Sequence, residues 1–476
     1  MLHFALAHDL ARYGGRYAHP SKVARIPTDY LHASTMDRIS ADGSVGGGWD
    51  DSEMLRDPLV RASRRLVGGN TTNCTNSTNA TLCSSSLSSL PSPPRSPPLP
   101  LPPLLPPQPP SPPAPPPSPP TPPLMPGETR VETGAALSAA VASANPATPL
   151  QLVVPAGATM ALTQRLTIQS NVSIRSSASL ASASGRRLTA ADSDRTIIDT
   201  RSLQETQAFA VGEGGMLELT GLHLTTHNRF KDEMIADGVR LSPTGGALLV
   251  EGGHAVLELC TFSDSAALEG GACAVTSGGS LTLLGCELLA CTAHPRMAGG
   301  GVYVSGGDSR LIVTDTTIEG CVAGDAGGIV ILNNGMVTMV NSVVKLCVAF
   351  HTAGALGVLG STVTMIDSVI ERCTGLGPAA IEGVGGVILT SNSHLITSGC
   401  RFDKCEATHS TCGGLVLFDS KCSATLRNTV FTECTAKSWG GAIINLGYLD
   451  AIGCSFVNCT AHSGGAYYGF SGQVCF

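Results

Sequence analysis

The chain is poor in charged and aromatic side chains. Charged residues make up 14% and aromatic residues 4% of its 476 residues, whereas a globular chain is usually about 25% charged. Hydrophobic residues still reach 42%, which excludes disorder throughout, because this much apolar surface can form a core. The net charge of −7 argues against nucleic acid as a partner.

The sequence also lacks a long apolar run. No stretch approaches the roughly 18 consecutive apolar residues of a membrane-spanning helix, so we expect no transmembrane span. The N-terminal sequence MLHFALAHDLARYGGRY interrupts its apolar run at His8 and Asp9. A signal peptide needs roughly 7–15 apolar residues in a row, so no clear export signal is present. We interpret residues 1–69 as an irregular N-terminal segment.

Residues 70–126 differ in composition from the rest and are interpreted as a stalk or linker. Residues 91–126 hold 22 of the 31 prolines, which excludes helix and sheet and favours a disordered, extended polyproline II stalk. A ligand for SH3 or WW domains is the alternative. The Ser-Pro-Pro pattern resembles the hydroxyproline-rich stalks of algal and plant wall glycoproteins.

Glycosylation sequons precede this proline-rich stretch. Four Asn-x-Ser/Thr sequons follow one another at three-residue spacing, and two more lie further along the chain. The glycosylation candidates are Asn70, Asn73, Asn76, Asn79, Asn171 and Asn458. Their use would imply the secretory route, and therefore an extracellular, cell-surface or cell-wall location. A polar Asn/Thr linker is the alternative for the cluster of four.

A repeat begins near residue 245. Glycine pairs, or their equivalents, recur every 24 to 32 residues, and two short alternating apolar runs follow each pair. Period-two alternation predicts strands, and a period of about 27 residues indicates a stacked architecture. The pairs end at Gly246, Gly271, Gly301, Gly328, Gly354, Gly386, Gly414, Gly441 and Gly465.

These observations predict an all-β fold, a right-handed parallel β-helix of about twelve coils over residues 127–476. A helix over residues 129–144 is expected to cap its N-terminal end, because solenoids need terminal caps. A β-propeller blade needs about 40–45 residues, so the repeat is too short for that fold. The frame and the asparagine column of a leucine-rich repeat are absent.

Aligning the units places the cysteines in two columns. The first column is Cys291, Cys321, Cys347, Cys373, Cys405, Cys434 and Cys459, with Ser265 in the first unit. The second column, five residues earlier, is Cys260, Cys286, Cys400 and Cys454, with Thr316, Ser342, Ser368 and Thr429 in the other units. Between them lie bulky apolar residues: Phe262, Leu288, Ile318, Val344, Ile370, Phe402, Phe431 and Phe456.

Equivalent residues on adjacent coils stack about 4.8 Å apart. Exchange of Cys with Ser and Thr suggests a small, weakly polar, inward side chain, so buried free thiols are one interpretation. Disulfides between coils are the other, since this spacing suits their geometry. A linear ladder does not converge on a zinc tetrahedron, so we predict no metal and no cofactor.

The acidic residues show no catalytic arrangement. Cleavage of a glycosidic bond requires two facing carboxylates, and here the acids are scattered singly. We therefore predict no catalytic residue and leave enzymatic activity uncertain. The denser groups are Asp192, Asp194 and Asp199, and Asp232, Glu233 and Asp237 with His223 and His227. The second group would allow a metal or sugar site in a loop, although its composition favours a solvated surface loop.

The repeat resembles that of the polymorphic outer membrane proteins, named from chlamydial surface proteins. The resemblance rests on apolar alternation after Gly-Gly-Ala and on Phe262–Ser265, Phe402–Cys405, Phe431–Cys434 and Phe456–Cys459. It covers residues 245–476, with residues 150–244 similar only to generic pectin-lyase-like coils. Cysteine stands where that family has asparagine. The resemblance implies a right-handed β-helix at a cell surface with adhesive roles.

We therefore expect a non-catalytic cell-surface, matrix or wall-associated protein that binds glycans or wall and matrix proteins. The alternative is a polysaccharide lyase or hydrolase of the pectin-lyase-like fold. The C-terminal sequence GGAYYGFSGQVCF ends within a coil, so we expect an open edge there that could self-associate.

Overall fold

The computed structural model describes residues 124–178, 195–201, 203, 207–226, 244–377, 383–409, 411–470 and 472–475. These residues form a parallel β-solenoid of about eleven turns, built from three long parallel sheets and a fourth sheet of very short strands. The prediction of an all-β stack of coils is confirmed. Among the described residues, no helix has the length and apolar character needed to cross a bilayer.

Sheet 1 contains the longest strands of each coil, and all its strand pairs are parallel. In spatial order its strands are β1 (Glu128–Arg130), β2 (Leu150–Val154), β5 (Asn171–Ser176), β8 (Met216–Thr220), β11 (His254–Glu258), β15 (Ser280–Leu284), β19 (Arg310–Thr314), β23 (Met336–Val340), β27 (Thr362–Ile366), β31 (His394–Ser398), β35 (Ser423–Arg427), β39 (Tyr448–Ile452) and β42 (Gln473–Cys475).

Sheet 2 precedes sheet 1 in each coil. Its strands are β4 (Leu166–Ile168), β7 (Phe209–Val211), β10 (Leu248–Glu251), β14 (Cys273–Thr276), β18 (Val302–Ser305), β22 (Ile329–Leu332), β26 (Leu356–Leu359), β30 (Val387–Thr390), β34 (Leu415–Leu417), β38 (Ile443–Asn445) and β41 (Tyr467–Gly469).

Sheet 3 follows sheet 1, and sheet 4 follows sheet 3. Sheet 3 comprises β3 (Thr159–Ala161), β6 (Thr196–Asp199), β9 (Leu222–Thr225), β12 (Thr261–Ser263), β16 (Glu287–Leu289), β20 (Thr317–Glu319), β24 (Val343–Lys345), β28 (Val369–Glu371), β32 (Arg401–Asp403), β36 (Val430–Thr432) and β40 (Ser455–Val457). Sheet 4 comprises β13 (Ala266–Ala267), β17 (Thr292–Ala293), β21 (Val322–Ala323), β25 (Val348–Ala349), β29 (Thr374–Gly375), β33 (Glu406–Ala407) and β37 (Thr435–Ala436).

The observed strand register follows the alignment of the repeats. In sheet 3, Phe262 pairs with Leu288, and Ile370 pairs with Phe402, which pairs with Phe431. The phenylalanine rings stack inside the solenoid, with ring centroids of Phe402 and Phe431 4.6 Å apart. The core is therefore a set of in-register ladders, each contributing one inward side chain per coil.

The glycine pairs have two separate roles. In four of the pairs the first glycine turns the chain in the left-handed region, namely at Gly245, Gly270, Gly440 and Gly464. The second allows adjacent coils to touch, because a Cβ atom on Gly271 would lie 2.2 Å from the Gly300 carbonyl oxygen.

The predicted N-terminal cap is a helix, α1 (Gly134–Ala142), shorter at both ends than expected. Thr133 is its N-cap, and the Ala136 N–H donates to the Thr133 Oγ1 at 3.1 Å. Leu137 and Val141 are buried, and α1 packs against β3 and β4, the first strands of sheets 3 and 2. The helix thus covers the apolar end of the stack.

The coil count is close to the expected twelve. The coils starting at Asn171 and Met216 are longer than the later ones, which reduces the number of turns for a given chain length. The strands β40, β41 and β42 have a described neighbour on one side only. Self-association at that edge stays a prediction, as do the domain boundaries at residues 69 and 126.

Candidate functional site

Each cysteine of the first column lies just after a tight corner. Lys404 (φ 53°) precedes Cys405, and Glu433 (φ 50°) precedes Cys434. This left-handed residue turns the chain between sheets 3 and 4 and points the next side chain into the core, where both thiols are fully buried. The Cys434 Sγ donates to the Phe402 carbonyl oxygen of the preceding coil at 3.5 Å.

The first-column thiols also interact with one another along the stack. The pKa of Cys321 is raised well above its usual value by hydrogen bonds with Cys291 and Cys347 and by burial. Burial, followed by the hydrogen bond with Cys347, likewise raises the pKa of Cys373. Because the thiolate is the reactive form, the raised pKa makes the Cys321 and Cys373 thiols unreactive.

The second column occupies the preceding corner, between sheets 1 and 3. The Ser342 Oγ donates to the Val340 carbonyl oxygen at 2.8 Å, and the Thr316 Oγ1 donates to the Thr314 carbonyl oxygen at 2.8 Å. The Cys286 Sγ reaches the matching Leu284 carbonyl oxygen at 3.6 Å. Cysteine, serine and threonine alternate here because each offers a small donor to the same carbonyl two residues earlier.

All fifteen cysteines in the described part of the chain are free thiols. Cys454 and Cys459 are half-buried, Cys475 is exposed and the others are buried. The disulfide alternative therefore has no counterpart among these residues. Cys74 and Cys83 lie outside the described residues.

Two of the six sequons can be placed. Asn171 begins β5, Asn458 follows β40 in a left-handed turn (φ 53°), and both side chains are exposed. The candidates Asn70, Asn73, Asn76 and Asn79 lie outside the described residues. Both placed asparagines are thus open to solvent, as a glycosylated residue must be.

The acidic groups singled out in the sequence are only partly described. Asp199 forms an ion pair with Arg201 at 2.6 Å, and the His223 Nε2 lies 2.8 Å from the Ser263 Oγ. The remaining members lie outside the described residues: Asp192, Asp194, His227, Asp232, Glu233 and Asp237. Within the described ranges, no group of three or more His, Cys, Asp or Glu residues is placed to hold a metal ion.

A small polar depression lies at the corner between sheets 1 and 3. Arg195, Glu287 and Asp315 all line it. The Arg195 guanidinium is 3.3 Å from the Glu287 carboxylate and also contacts the Thr261 hydroxyl. Sequence reasoning missed this group because Arg195 and Glu287 are 92 residues apart and meet only through coil stacking.

The outer surface of sheet 1 forms a flat face that carries no carboxylate. We call it the acid-free face. It consists of the outward positions of six neighbouring strands of sheet 1, namely β15, β19, β23, β27, β31 and β35. These positions are Ser280, Thr282, Leu284, Arg310, Ile312, Thr314, Met336, Thr338, Val340, Thr362, Thr364, Ile366, His394, Ile396, Ser398, Ser423, Thr425 and Arg427.

The acid-free face exposes apolar side chains in regular rows. Ile312, Ile366 and Ile396 are 39%, 38% and 46% exposed, although isoleucine is usually buried. Carboxylates occur on sheet 1 immediately to either side, at Glu258 on β11 and Asp450 on β39. Exposed apolar side chains gathered on one sheet face make this surface a candidate binding site.

The outer surface of sheet 2 is different, because neighbouring side chains cover it. Val330, Ile388 and Val416 point outward from this sheet yet are buried in a second apolar cluster. At its C-terminal end, Trp439 stacks with Tyr468 at 6.0 Å between ring centroids, and Phe470 meets both rings edge-on. Phe470 is 40% exposed, so this aromatic cluster is only half-covered.

Over residues 218–355, the chain matches the family model described as the right handed beta helix region. With the parallel sheets and corners described above, this match identifies the fold as a right-handed parallel β-helix. No curated protein matches the sequence.

The chain is also similar, at low identity, to three solved structures. The catalytic domain of a GH87 alpha-1,3-glucanase in complex with nigerose has 8% identity and a TM-score of 0.40, covering 75% of this chain and 70% of that one. PfbA, a surface adhesin of Streptococcus pneumoniae, has 11% identity and a TM-score of 0.36, covering 72% and 89%. The PL6 family alginate lyase AlyGC has 11% identity and a TM-score of 0.28, covering 73% and 39%. They comprise enzymes and an adhesin, and no activity is carried over from them.

Proposed function

We propose that this protein is a non-catalytic β-helix of the cell surface, extracellular matrix or cell wall that adheres to glycans or to wall and matrix proteins. The observation that carries the proposal is the acid-free face, which exposes aliphatic and hydroxyl side chains over six coils. Rigid, flat and pre-formed, such a face binds a partner with little ordering cost.

The chemistry of the face favours binding over cleavage. Hydrolysis of a glycosidic bond uses two carboxyl groups that flank the bond. The outward positions of β15 to β35 hold hydroxyl, aliphatic and basic groups and no carboxyl group. A ligand on this face would be held and released unchanged.

The extracellular location is supported by the sequence pattern. Six sequons and a proline-rich stretch over residues 91–126 fit a glycosylated, stalk-like protein. The two described sequon asparagines, Asn171 and Asn458, have exposed side chains. Digestion of the protein from its native source with an N-glycosidase tests this, with a mobility shift expected and an unchanged mobility counting against it.

The adhesive function is tested with the full chain on a glycan array, followed by a reducing-end assay on every glycan that binds. We expect binding without new reducing ends or unsaturated products. Release of product from a bound glycan would replace adhesion with enzymatic activity. Absence of binding to all glycans and to wall and matrix extracts would contradict the proposal.

A polysaccharide-active enzyme is the second candidate, and the depression beside Arg195 is the observation that favours it. Glu287 and Asp315 bring two carboxylates to one depression. If product is released, Glu287→Gln and Asp315→Asn should each abolish it. The matched control is Glu371→Gln, an outward carboxylate on the same sheet 3, which should leave activity unchanged.

A further inference from the structure

We propose that the acid-free face binds an extended, uncharged polysaccharide whose chain runs across the coils. This inference rests on the proposed adhesive function and names its ligand class. It follows from three properties of the face, namely its repetition, its charge and the mixture of groups that it presents.

The outward side chains of the face are aligned from coil to coil, and its central row contains only threonine and isoleucine. Its central row is in direct register, since Ile312 pairs with Thr338, Thr338 with Thr364, and Thr364 with Ile396. Thr282 and Thr425 continue the row on either side. Rungs about 4.8 Å apart give six coils a length of roughly 25 Å. A ligand with its own repeat can use every rung, whereas a compact molecule can use only one or two.

The charge of the face fits a neutral ligand. The outward positions of β23 and β27 carry no ionisable group at all, and the His394 Nδ1 on β31 lies 2.8 Å from the Ser423 Oγ. At one edge Arg427 forms an ion pair with Asp450. An acidic polymer would find basic side chains on this face only at Arg310, His394 and Arg427. It would also meet Glu258 and Asp450 at the two ends of the face, where like charges are unfavourable.

The mixture of groups fits sugar rings in particular. A sugar ring has apolar C–H surfaces and a rim of hydroxyl groups. The central row places the exposed Ile312 and Ile396 among threonines, each of which carries a methyl group and a hydroxyl group on the same carbon. Such rows offer apolar contact and hydrogen bonding side by side, with no rotamer-rich charged side chain to immobilise in β23 or β27.

The experiment uses the full chain and two sets of oligosaccharides of increasing length, neutral cello-oligosaccharides and acidic oligogalacturonates. The face variant is Thr338→Glu with Thr364→Glu, which places two carboxylates on adjacent rungs. The control is Val343→Glu with Val369→Glu, which adds the same charges to the same coils on the outer side of sheet 3. Thermal unfolding establishes that both variants remain folded.

We expect the wild type to bind the neutral series, more tightly with each added unit until about six rungs are covered, and to bind the acidic series more weakly. The face variant should lose at least about tenfold in affinity, equivalent to 1.4 kcal/mol, and the control should bind like the wild type. Binding that the face variant retains, or a preference for the acidic series, overturns this inference while adhesion itself stands. Absence of any glycan binding by the wild type overturns this inference, and absence of binding to wall and matrix extracts as well overturns the proposed function.

Discussion

At the scale of single residues, the corners explain why the second column accepts cysteine, serine and threonine. Ser342 is buried. Its Oγ accepts a hydrogen bond from the Thr316 N–H at 3.2 Å and donates one to the Val340 carbonyl oxygen. The pattern of exchange in the sequence indicates a small inward side chain. It does not reveal the hydrogen bond between coils, because that bond depends on register.

Replacing Ser342 with alanine should destabilise the protein by about 1–3 kcal/mol, because the buried Thr316 N–H loses its acceptor. Ser342→Cys should cost less, since a thiol is a weak acceptor and donor. Chemical denaturation measures both. Ser280→Ala, at an outward position of β15, is the control and should change stability by less than about 0.5 kcal/mol. Equal stability of the alanine and cysteine variants would contradict the role assigned to the hydroxyl.

The second glycine of each pair is the other residue on which coil spacing depends. A Cβ atom at Gly271 would lie 2.2 Å from the Gly300 carbonyl oxygen and 2.5 Å from the Thr292 nitrogen. Both contacts are with backbone, so neither can be relieved by moving a side chain.

Gly271→Ala should therefore destabilise the protein by about 3 kcal/mol or more, at or beyond the upper end of the usual cost of overpacking. Gly307→Ala is the matched control, since nothing lies within 4 Å of its added Cβ, and it should be nearly neutral. Thermal unfolding of the two variants checks this. Similar unfolding temperatures for the two variants would show that the close approach of the coils at Gly271 does not exclude a side chain there.

At the scale of the element, buried thiols make the solenoid sensitive to alkali. Burial raises the pKa of Cys412 to about 12, and burial together with the nearby Asp419 raises the pKa of Cys422 to about 12. The ordinary thiol value is 9.0. Below it the thiol is protonated in both folded and unfolded chains and has no effect on the pH dependence. Above it the unfolded chain loses the proton first, so stability falls.

The expected result is a free energy of unfolding that declines between pH 9 and 11, by up to about 1.4 kcal/mol per pH unit for each such thiol. Urea unfolding at several pH values measures the slope. Cys412→Ala removes one of these thiols and should make the decline shallower. A slope unchanged by that substitution would show that Cys412 does not titrate as its burial requires.

At the scale of the whole molecule, repetition made the fold predictable. The glycine period and the aligned columns predicted the stacked coils, the strand register and the inward residues, because each coil repeats the same pattern of strands and corners. The N-terminal cap followed from its alanine pattern between two prolines. The depression at Arg195 and Glu287 did not follow from the sequence, because their contact spans 92 residues and joins a residue ahead of the clear repeat to one within it.

The acid-free face could be predicted from the sequence only in part. Alternation identifies which residues of a strand share a face, but the sequence alone does not reveal that the outward positions of six consecutive strands lack carboxylates. That property emerges once Glu258 and Asp450 are seen to bracket the rows on the same sheet. The second apolar cluster around Val330 and Ile388 escaped prediction for the same reason, since outward aliphatic residues there are covered by neighbouring side chains.

Hydroxyl-radical footprinting of the full chain, with and without a bound neutral polysaccharide, tests the central claim most directly. Met336, Ile366 and Ile396 lie on the acid-free face, whereas Met297 is 38% exposed on a loop ahead of sheet 2. The account predicts that the ligand protects the three face residues from oxidation and leaves Met297 unchanged. Protection elsewhere, with full oxidation of Met336 and Ile366 in the complex, would contradict it.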